Sequence, residues 1–503
     1  MAFVQNVPFF SIILSMFSGT VSSVLPAKWA KWLNTTVIIL VGAMSAWLLG
    51  FLLETGESYT FMMGHFPAPW GNEIRAGALE AGMALFFCII MLLSMLGGRK
   101  KLMDEVIISK HNIYYILTNL LLSSLLALVY TNDLFTAYVF VEINTISACG
   151  LIMIRQNGRT IEAAVRYMIM SQLGSGLLLL GICMLYDLTG HLLMPNIQQS
   201  VAEIMAAGTY RIPLTITIGL ITVGLAIKSA LFPFHAWLPD AYGYSTVSSA
   251  AMLSSLVSKG YLFLLIKIFY RVIGFDIISA SNILNVLYVF GLCGMIFGSL
   301  SAIWEKDIRR MISFSSVAQI GYIYMGFGLG TTEGMIASIF HILAHAATKS
   351  LLFISAIGLT DVSGGSRSFF ELNGAGYRNK IAGIGFTVGS LAMVGIPTFA
   401  GFVSKVLFAE AAVLHPDMKM IPTLIVLAVS TILNAIYFLK TVVRIYVPEK
   451  KSVEKKKGYF TVKAEQQKLY ALTIALFVVL NLVLGMMSEP ILHIIESGLA
   501  SFA

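Results

Sequence analysis

Eight ionisable residues lie in the middle of long apolar stretches of this sequence, where charge is costly. A charged side chain at the centre of a membrane span costs about 3 kcal/mol on insertion scales, so such residues are rare and usually functional. Lysine, glutamate and histidine can each gain or lose a proton when their surroundings change. We therefore predict a proton-translocation site formed by Glu142, Lys228, His235, Lys259, His341, His345, Lys349 and Lys405.

Three of these residues recur at every fourth position in HILAHAATKSLLF, where His341, His345 and Lys349 stand. In a helix this spacing places the side chains on one stripe. A stripe of titratable groups across a span indicates a proton path. A metal site at the two histidines is the alternative, but it needs a third ligand and no carboxylate is near in the sequence. We expect no metal.

The segment GLAIKSALFPFHAWLPDAY, residues 224–242, places Lys228 beside a helix break. Pro233 frees backbone carbonyl groups near this lysine and makes room for water. His235 could shuttle a proton there near neutral pH. A hydrogen-bonded core histidine is the alternative role for His235.

Lysine suits a proton relay because its surroundings control its affinity for a proton. The ordinary pKa of lysine, about 10.4, is too high for release at neutral pH, but desolvation lowers it and a nearby carboxylate raises it. Glu142 and Lys228 would form a switchable pair of this kind; a static ion pair that only fixes helix packing is the alternative. Four further cations near span ends are expected to extend to the membrane surface: Lys267, Arg271, Lys440 and Arg444.

The apolar stretches around these residues recur along the whole chain. Of the 503 residues, 57% are hydrophobic and only 12% are charged, about half the charged fraction of soluble domains. This composition indicates an all-α polytopic membrane protein. About 14 transmembrane helices are predicted, of which the seventh and twelfth are broken. Their limits are 8–25, 33–53, 79–97, 113–131, 133–154, 161–186, 213–238, 247–271, 280–303, 308–330, 334–360, 381–414, 421–447 and 468–488.

Basic residues are concentrated in alternate loops between these spans. The net charge of +8 is therefore explained by the positive-inside bias and does not indicate nucleic-acid binding. The bias places the basic loops in the cytoplasm and both termini outside, for a protein of the inner (cytoplasmic) membrane. The run Lys450 to Lys457 is predicted to be a solvated cytoplasmic loop, with anionic lipid or a partner as the alternative. The other basic residues of this set are Lys28, Lys31, Arg99, Lys100, Lys101, Arg155, Arg159, Lys306, Arg309, Arg310, Arg367, Arg378 and Lys380.

A second interrupted span lies five spans after the first. It reads GIPTFAGFVSKVLFAEAAV, with Pro397, Gly401 and then Lys405. Two interrupted spans in corresponding halves indicate inverted repeats with sites at the breaks. The predicted domains are 1–110 (helices 1–3), 111–272 (first repeat, helices 4–8), 279–447 (second repeat, helices 9–13) and 448–503 (basic loop and helix 14).

No sequence motif for a bound cofactor is present. The four cysteines stand apart within apolar stretches, without a C-x-x-C pair, which disfavours zinc and iron–sulfur sites. We expect all four to be buried thiols that pack inside the protein. The GSG at positions 174–176 lies inside a predicted span without a preceding strand. We expect no cofactor and no redox or catalytic centre in this chain.

Four motifs in order resemble a known family over about residues 80–445. They are FPFHAWLPDAY, EKDIRRMISFSSVAQIGYI, HILAHAATKSLLF and AGFVSKVLF. Together they resemble the antiporter-like subunits of respiratory complex I, the D-type subunit of Mrp sodium/proton antiporters and the matching subunits of group 4 membrane-bound hydrogenases. One departure is GYSTVSSAAMLSSLVSKGYLF after the first motif, where the family is expected to have a more proline-rich turn.

The resemblance implies 14 helices, with inverted five-helix bundles at spans 4–8 and 9–13 and a hydrophilic axis along the membrane midplane. It implies that Glu142 belongs to a half-channel and that Lys228 is the lysine of the first broken helix. Lys259 would connect the two halves, followed by His345, and Lys405 would be the charge of the second broken helix.

The resemblance also implies the function of a proton-translocating, or proton/sodium-exchanging, subunit of a multisubunit energy-converting complex. An Mrp D-like subunit of a group 4 hydrogenase or of an Mrp antiporter is favoured, because one complex I paralogue has Glu at the position of Lys405. The alternatives are an antiporter-like subunit of NADH:quinone oxidoreductase and a stand-alone transporter of a small solute. The expected partners are other membrane subunits, membrane lipid and, in a redox complex, peripheral subunits with iron–sulfur clusters.

Overall fold

The computed structural model describes residues 2–63, 66, 72–415, 417–448 and 464–502. The predicted basic run Lys450 to Lys457 lies outside the described residues. Most of the remainder is helical. The helices of the first half are α1 Ala2–Gln5, α2 Val7–Ser22, α3 Ala27–Thr55, α4 Ala78–Glu105, α5 His111–Tyr130, α6 Leu134–Met153, α7 Gly158–Thr189, α8 Met194–Ala207, α9 Arg211–Lys228, α10 Leu238–Tyr244, α11 Val247–Met252 and α12 Ser258–Lys267.

The second half continues in the same way and confirms a polytopic helical fold. Eleven helices among the described residues are long and apolar enough to cross a membrane. Each of the 14 predicted spans falls on a helix or on a broken pair of helices, whereas the number of crossings stays a prediction. The helices are α13 Phe275–Ser279, α14 Ile283–Trp304, α15 Ile308–Leu329, α16 Thr332–Asp361, α17 Ala375–Arg378, α18 Lys380–Val394, α19 Ala400–Leu414, α20 Met420–Ile445, α21 Ala464–Met486 and α22 Ser488–Ala500.

Both predicted helix breaks are present. Helix α9 ends at Lys228, and a 3-10 turn at Phe234–Trp237 leads into α10. Helix α18 ends before Gly395 (φ +89°), and Thr398 (φ +85°) precedes α19. Positive φ at these two positions turns the chain out of the right-handed helix. Each break therefore leaves the last carbonyl groups of a half-helix without intrahelical partners.

The predicted eighth span is a continuous helix, Val247–Ile273, that contains two π-helical segments. These are Leu253–Val257 and Ile268–Ile273. A π-helical turn interrupts the regular i to i−4 ladder, and such turns occur frequently at functional sites. Two side chains donate to carbonyl groups of these segments. Tyr242 donates to Leu253 at 3.3 Å and Gln198 donates to Tyr270 at 3.0 Å.

A two-stranded hairpin and two helices outside the predicted spans were not anticipated. Strands Tyr59–Met62 (β1) and Glu73–Ala76 (β2) pair antiparallel, with Tyr59 opposite Ala76. Four-residue strands are too short to give a clear alternating pattern. Helices α8 and α22 are amphipathic rather than membrane-spanning in composition. The buried positions of α8 are Met194, Ile197 and Val201, which form one stripe.

Helix α16 lies at the centre of the molecule and carries the three-residue stripe. It packs against α4, α11, α15, α18, α19 and α21. The apolar parts of α16 and of the helix Val247–Ile273 are fully buried. Charged residues on these two helices are therefore surrounded by protein and not by lipid, which is the arrangement expected for ionisable groups in a membrane.

Candidate proton-translocation site

Glu142 and Lys228 form an ion pair at the end of the first half-helix. Lys228 is the last residue of α9, where the negative end of the helix dipole favours a cation. Its Nζ lies 3.6 Å from Oε1 of Glu142; the lysine side chain is fully buried and the glutamate is 20% exposed. Ser175 donates to Glu142, and Gln172 donates to it at 3.2 Å. The carboxylate is thus held by two donors besides the ammonium group.

A hydroxyl bridge leads from Lys228 towards the next span. The Nζ of Lys228 donates to Oγ1 of Thr145 at 2.7 Å, and this hydroxyl lies 3.3 Å from the hydroxyl of Tyr261. Tyr261 also donates to Asn144 at 3.2 Å. The lysine amine lies 5.4 Å from the centre of the Tyr261 ring. Tyr261 is two residues beyond Lys259 on the same helix, so the bridge reaches the helix that carries the next lysine.

Lys259 follows the first π-helical segment directly. Its Nζ donates to the backbone carbonyl of Ser254, which belongs to that segment. The lysine is fully buried. A carbonyl oxygen accepts hydrogen bonds from both charged and neutral amines, since both forms carry N–H donors. The π-helical turn therefore supplies Lys259 with a partner that does not depend on its charge.

Paired serines connect this helix with α16. Ser350 donates to Oγ of Ser255 at 2.8 Å. The neighbouring Lys349 donates to the carbonyl of Ile312 at 2.9 Å and to the hydroxyl of Ser315. Ser255 follows Ser254, the carbonyl partner of Lys259, and Ser350 follows Lys349 in the sequence. The serine pair thus connects the two helices beside both lysines.

The two histidines stack one turn apart on α16. The ring centroids of His341 and His345 are 6.0 Å apart. Neither ring nitrogen of His345 has a hydrogen-bond partner within the described part of the chain. Both rings line a cavity of about 10 Å³ together with Gln319 and Lys405, which is roughly the space that one water molecule needs. A water at this position could accept and donate protons between the histidines and the lysine.

Lys405 lies at the second helix break. Nδ1 of His341 is 3.0 Å from Oγ of Ser404, the residue before Lys405. Nζ of Lys405 donates to the carbonyl of Val394 at 2.6 Å, at the C-terminal end of the half-helix α18. A lysine thus lies at each break: Lys228 is itself the last residue of one half-helix, and Lys405 donates to the end of the other.

A close contact between backbones holds the second break in place. A methyl group at Gly401 would overlap the carbonyl oxygen of Ala392. Gly401 lies in the first turn of α19, and Ala392 lies in the last turn of α18. The absence of a side chain at Gly401 thus lets the two half-helices approach each other beside Lys405.

His235 is not part of this chain of contacts. Its ring stacks on Phe232 with centroids 5.3 Å apart, and Phe232 stacks on Phe297. Nδ1 of His235 has no hydrogen-bond partner among the described residues. His235 lies in the 3-10 turn after the first break. The structure thus brings Glu142 and Lys228 together at the first break, and His341, His345 and Lys405 around one cavity near the second. Lys259 and Lys349 lie buried on the two helices between them, and His235 packs in an aromatic stack.

Lys267 does not extend to the membrane surface, and this expectation from the sequence was wrong. It is fully buried, and its Nζ donates to the carbonyls of Val129, at 2.8 Å, and Thr131 at the end of α5. Arg271 is partly buried and donates to Oδ1 of Asn132 at 2.9 Å. Lys440 is exposed, as expected for a residue near a span end.

The thiols and the potential metal ligands lie scattered over the described ranges. No group of three His, Cys, Asp or Glu residues there could hold a metal ion. Cys88 and Cys149 are buried, Cys293 is partly buried and Cys183 is exposed. The last of these faces outward from α7, in contrast to the expectation that all four pack inside.

The connecting residues were missed from the sequence. Thr145, Ser255, Tyr261, Ser315 and Ser404 are common residue types in membrane helices, and only their position beside the ionisable groups distinguishes them. The pairs SK at 404–405 and KS at 349–350 are a weak signal that could have found two of the links.

The fold and the site together define a polytopic helical membrane protein with a buried line of ionisable side chains between two broken helices. Residues 131–433 match the family described as NADH:quinone oxidoreductase/Mrp antiporter, TM. The chain belongs to this family. The match includes every residue of the predicted site.

Relatives from both branches of the family are similar over most of the chain. The N-type subunit of NADH-quinone oxidoreductase from Desulforudis audaxviator is 29% identical, over 88% of this chain and 87% of the relative. Antiporter subunit mnhD2 of Staphylococcus epidermidis is 30% identical over 76% and 74% of the two chains. The D-type subunit of the Na(+)/H(+) antiporter from Alkalihalophilus pseudofirmus is 25% identical over 85% and 83%.

Two solved structures share the fold along the full length. A chain of the membrane-bound sulfane sulfur reductase, an archaeal respiratory membrane complex, has a TM-score of 0.87 and 25% identity, and the match covers 100% of this chain and 98% of that one. A chain of the Mrp complex from Dietzia sp. has a TM-score of 0.86 and 22% identity with the same coverage. The latter likeness shows the fold alone.

Proposed function

We propose that this chain is a proton-translocating subunit of a multisubunit energy-converting membrane complex. The observation that carries the proposal is the buried series of ionisable side chains from Glu142 to Lys405. It includes Lys259, Lys349 and the two stacked histidines, and the hydroxyl groups beside these residues belong to Thr145, Tyr261, Ser255, Ser350 and Ser404. The series extends from one helix break to the other.

The residue types in this series suit proton transfer. Hydroxyl groups both donate and accept hydrogen bonds, so they can pass a proton without holding it. Lysine and histidine can hold a proton, and burial without a carboxylate makes its release easier than in water. A solute carrier needs instead a pocket with a few directed polar groups. The cavity beside His341 and His345 measures about 10 Å³ and is too small for an organic solute.

For the complex to which this chain belongs, we propose that the chain is an Mrp D-like subunit of an Mrp antiporter or of a group 4 membrane-bound hydrogenase. Relatives named as D-type antiporter subunits and as N-type subunits of NADH-quinone oxidoreductase both match, so membrane subunits are the partners in either case. Purification of the complex in mild detergent through a tag on this chain tests the proposal. Co-purifying small hydrophobic subunits and a colourless sample would assign the chain to an Mrp antiporter. Co-purifying hydrogenase or quinone-reductase subunits with iron–sulfur absorbance would assign it to a redox complex.

The central test replaces Lys228 with Ala. We expect coupled proton transport in inverted membrane vesicles to be abolished while the complex still assembles, because the ion pair and the hydroxyl bridge both begin at this amine. Lys28→Ala is the matched control, since Lys28 is exposed near a helix end. Unchanged transport by assembled Lys228→Ala complex would refute the proposed role. Repeating the assay without sodium separates proton translocation from proton/sodium exchange.

The proposed location is the inner membrane with both termini outside. The asymmetry of basic residues between alternate loops supports it. An alkaline-phosphatase fusion after Ala503 should be active in the periplasm. An inactive but stably expressed fusion would contradict this orientation.

A further inference from the structure

A cavity at the ends of three helices lies apart from the residues of the proposed proton-translocation site. It has a volume of about 410 Å³ and is lined by the ends of α14 and α20, the start of α15 and the loop 368–370. The loop is pinned to the start of α15, because Phe369 donates to the carbonyl of Lys306 at 3.2 Å and Ile308 donates to the carbonyl of Arg367 at 3.1 Å. The rim of the cavity is therefore part of the folded structure.

Three basic residues line this cavity without an acidic partner. They are Lys306, Lys440 and Arg444, and none of them forms an ion pair with a described carboxylate. The only carboxylate in the lining is that of Glu305, which accepts from Nε of Arg310 at 2.9 Å and from the backbone N–H of Lys306 at 2.8 Å. Arg310 shares its charge between Glu305 and Asp240, so the lining itself holds three cations and one carboxylate. The cavity is left with an excess of positive charge.

The wall below these cations is apolar and faces outward. Trp304 is 73% exposed and Phe370 is 79% exposed, and both line the cavity. Tryptophan at this position is typical of the membrane–water interface. On the adjoining surfaces of α14 and α20, Phe297, Ile436 and Val443 are also exposed. A basic cavity at the interface therefore continues into an apolar surface that lipid chains can cover.

We propose that this cavity binds the headgroup of an anionic phospholipid, with the acyl chains lying along α14 and α20. Basic pockets between membrane helices on the cytoplasmic side recognise such headgroups, and Lys306 belongs to the loops that the charge asymmetry places there. The phosphate would lie among the amines of Lys306 and Lys440 and the guanidinium of Arg444. The adjacent apolar surface favours a lipid over a free phosphate ion. This site does not include the residues of the proposed proton-translocation site. The lipid proposal therefore does not depend on the proposed function.

The test compares two variants of the whole complex that lose the same charge. Lys440→Gln/Arg444→Gln removes two cations of the cavity, and Lys28→Gln/Lys380→Gln removes two exposed cations from other predicted cytoplasmic segments. Delipidated complex in detergent is titrated with fluorescent phosphatidylglycerol, in competition with phosphatidylcholine or with glycerol phosphate. A basic residue near an anionic surface contributes about fivefold to affinity. We expect the cavity variant to lose about 25-fold in affinity at one site per chain, and the control variant to stay within about twofold of the wild type.

Three outcomes would overturn the proposal. Equal losses in both double variants would mean that only the general surface charge attracts the lipid. Competition by glycerol phosphate as strong as by phosphatidylglycerol would assign the cavity to a soluble anion. Equal binding of phosphatidylcholine would remove the role of the cations. If the double variant does not assemble, Lys440→Gln alone replaces it, with a fivefold loss expected, and Lys380→Gln as its control.

Discussion

Replacing Glu142 with Gln isolates the charge of the first ion pair. The amide keeps the shape of the side chain and an oxygen for Ser175 and Gln172, so packing is preserved. At the observed separation of 3.6 Å, two unit charges attract by about 5 kcal/mol at an effective dielectric constant of about 20. Since Glu142 is 20% exposed, we take the lost stabilisation of protonated Lys228 as about 3 kcal/mol, the lower end for a broken buried pair.

A loss of about 3 kcal/mol corresponds to about 100-fold in the population of the charged pair. We therefore expect the initial rate of proton transport to fall at least tenfold, with about 100-fold as the limit. The rate is measured as the fluorescence change of an acridine dye in inverted vesicles, per amount of assembled complex. Glu162→Gln is the matched control, because Glu162 is 63% exposed in its ion pair with Arg166 and such pairs contribute little. A Glu142→Gln complex that transports at the rate of the control would refute the reasoning.

Two further predictions concern stability. Gly401→Ala should destabilise the chain by about 1–3 kcal/mol, because the new methyl would overlap the carbonyl of Ala392. The melting temperature of this variant should therefore fall. Gly176→Ala is the control and should leave the melting temperature unchanged, because Gly176 has open space around it. Lys267→Met should cost about 1–3 kcal/mol by leaving two buried carbonyls without a donor and should keep the transport rate per assembled complex; equal melting temperatures for Lys267→Met and Lys440→Met would restore the idea that Lys267 reaches the surface.

The contrast between Lys267 and Lys440 shows what span limits alone do not reveal. Both lysines lie near the end of an apolar stretch. Their positions along the predicted spans therefore do not distinguish a buried side chain from an exposed one. At the end of the span with Lys267, the hairpin of β1 and β2 and the C-terminal segment close over the helix bundle, and Arg75 of β2 donates to the carbonyl of Ser501 at 2.6 Å. The burial of Lys267 depends on these elements, which lie far away in the sequence.

The ionisable residues were predictable for a different reason. Charge inside an apolar stretch is visible in the sequence, and so is a proline or glycine that breaks a span. The links between them are not visible, because each joins helices distant along the chain. His341 and Ser404 are 63 residues apart, and Ser255 and Ser350 are 95 apart. Only the packing of helices around α16 makes these pairs neighbours.

The partners of the buried lysines divide them into two kinds. Lys228 has a carboxylate, whereas Lys259, Lys349 and Lys405 donate to the backbone carbonyls of Ser254, Ile312 and Val394.

A carboxylate stabilises mainly the charged form of a lysine, while a carbonyl accepts from the charged and the neutral amine alike. The charge of Lys228 is therefore set by its distance from Glu142. The other three lysines share a buried region without a second carboxylate in contact among the described residues, so none of them has a partner that favours the charged form over the neutral one. A movement of Glu142 away from Lys228 would thus change the charge at one end of the series of buried lysines, whereas the carbonyl partners of the other three would accept from either form of the amine.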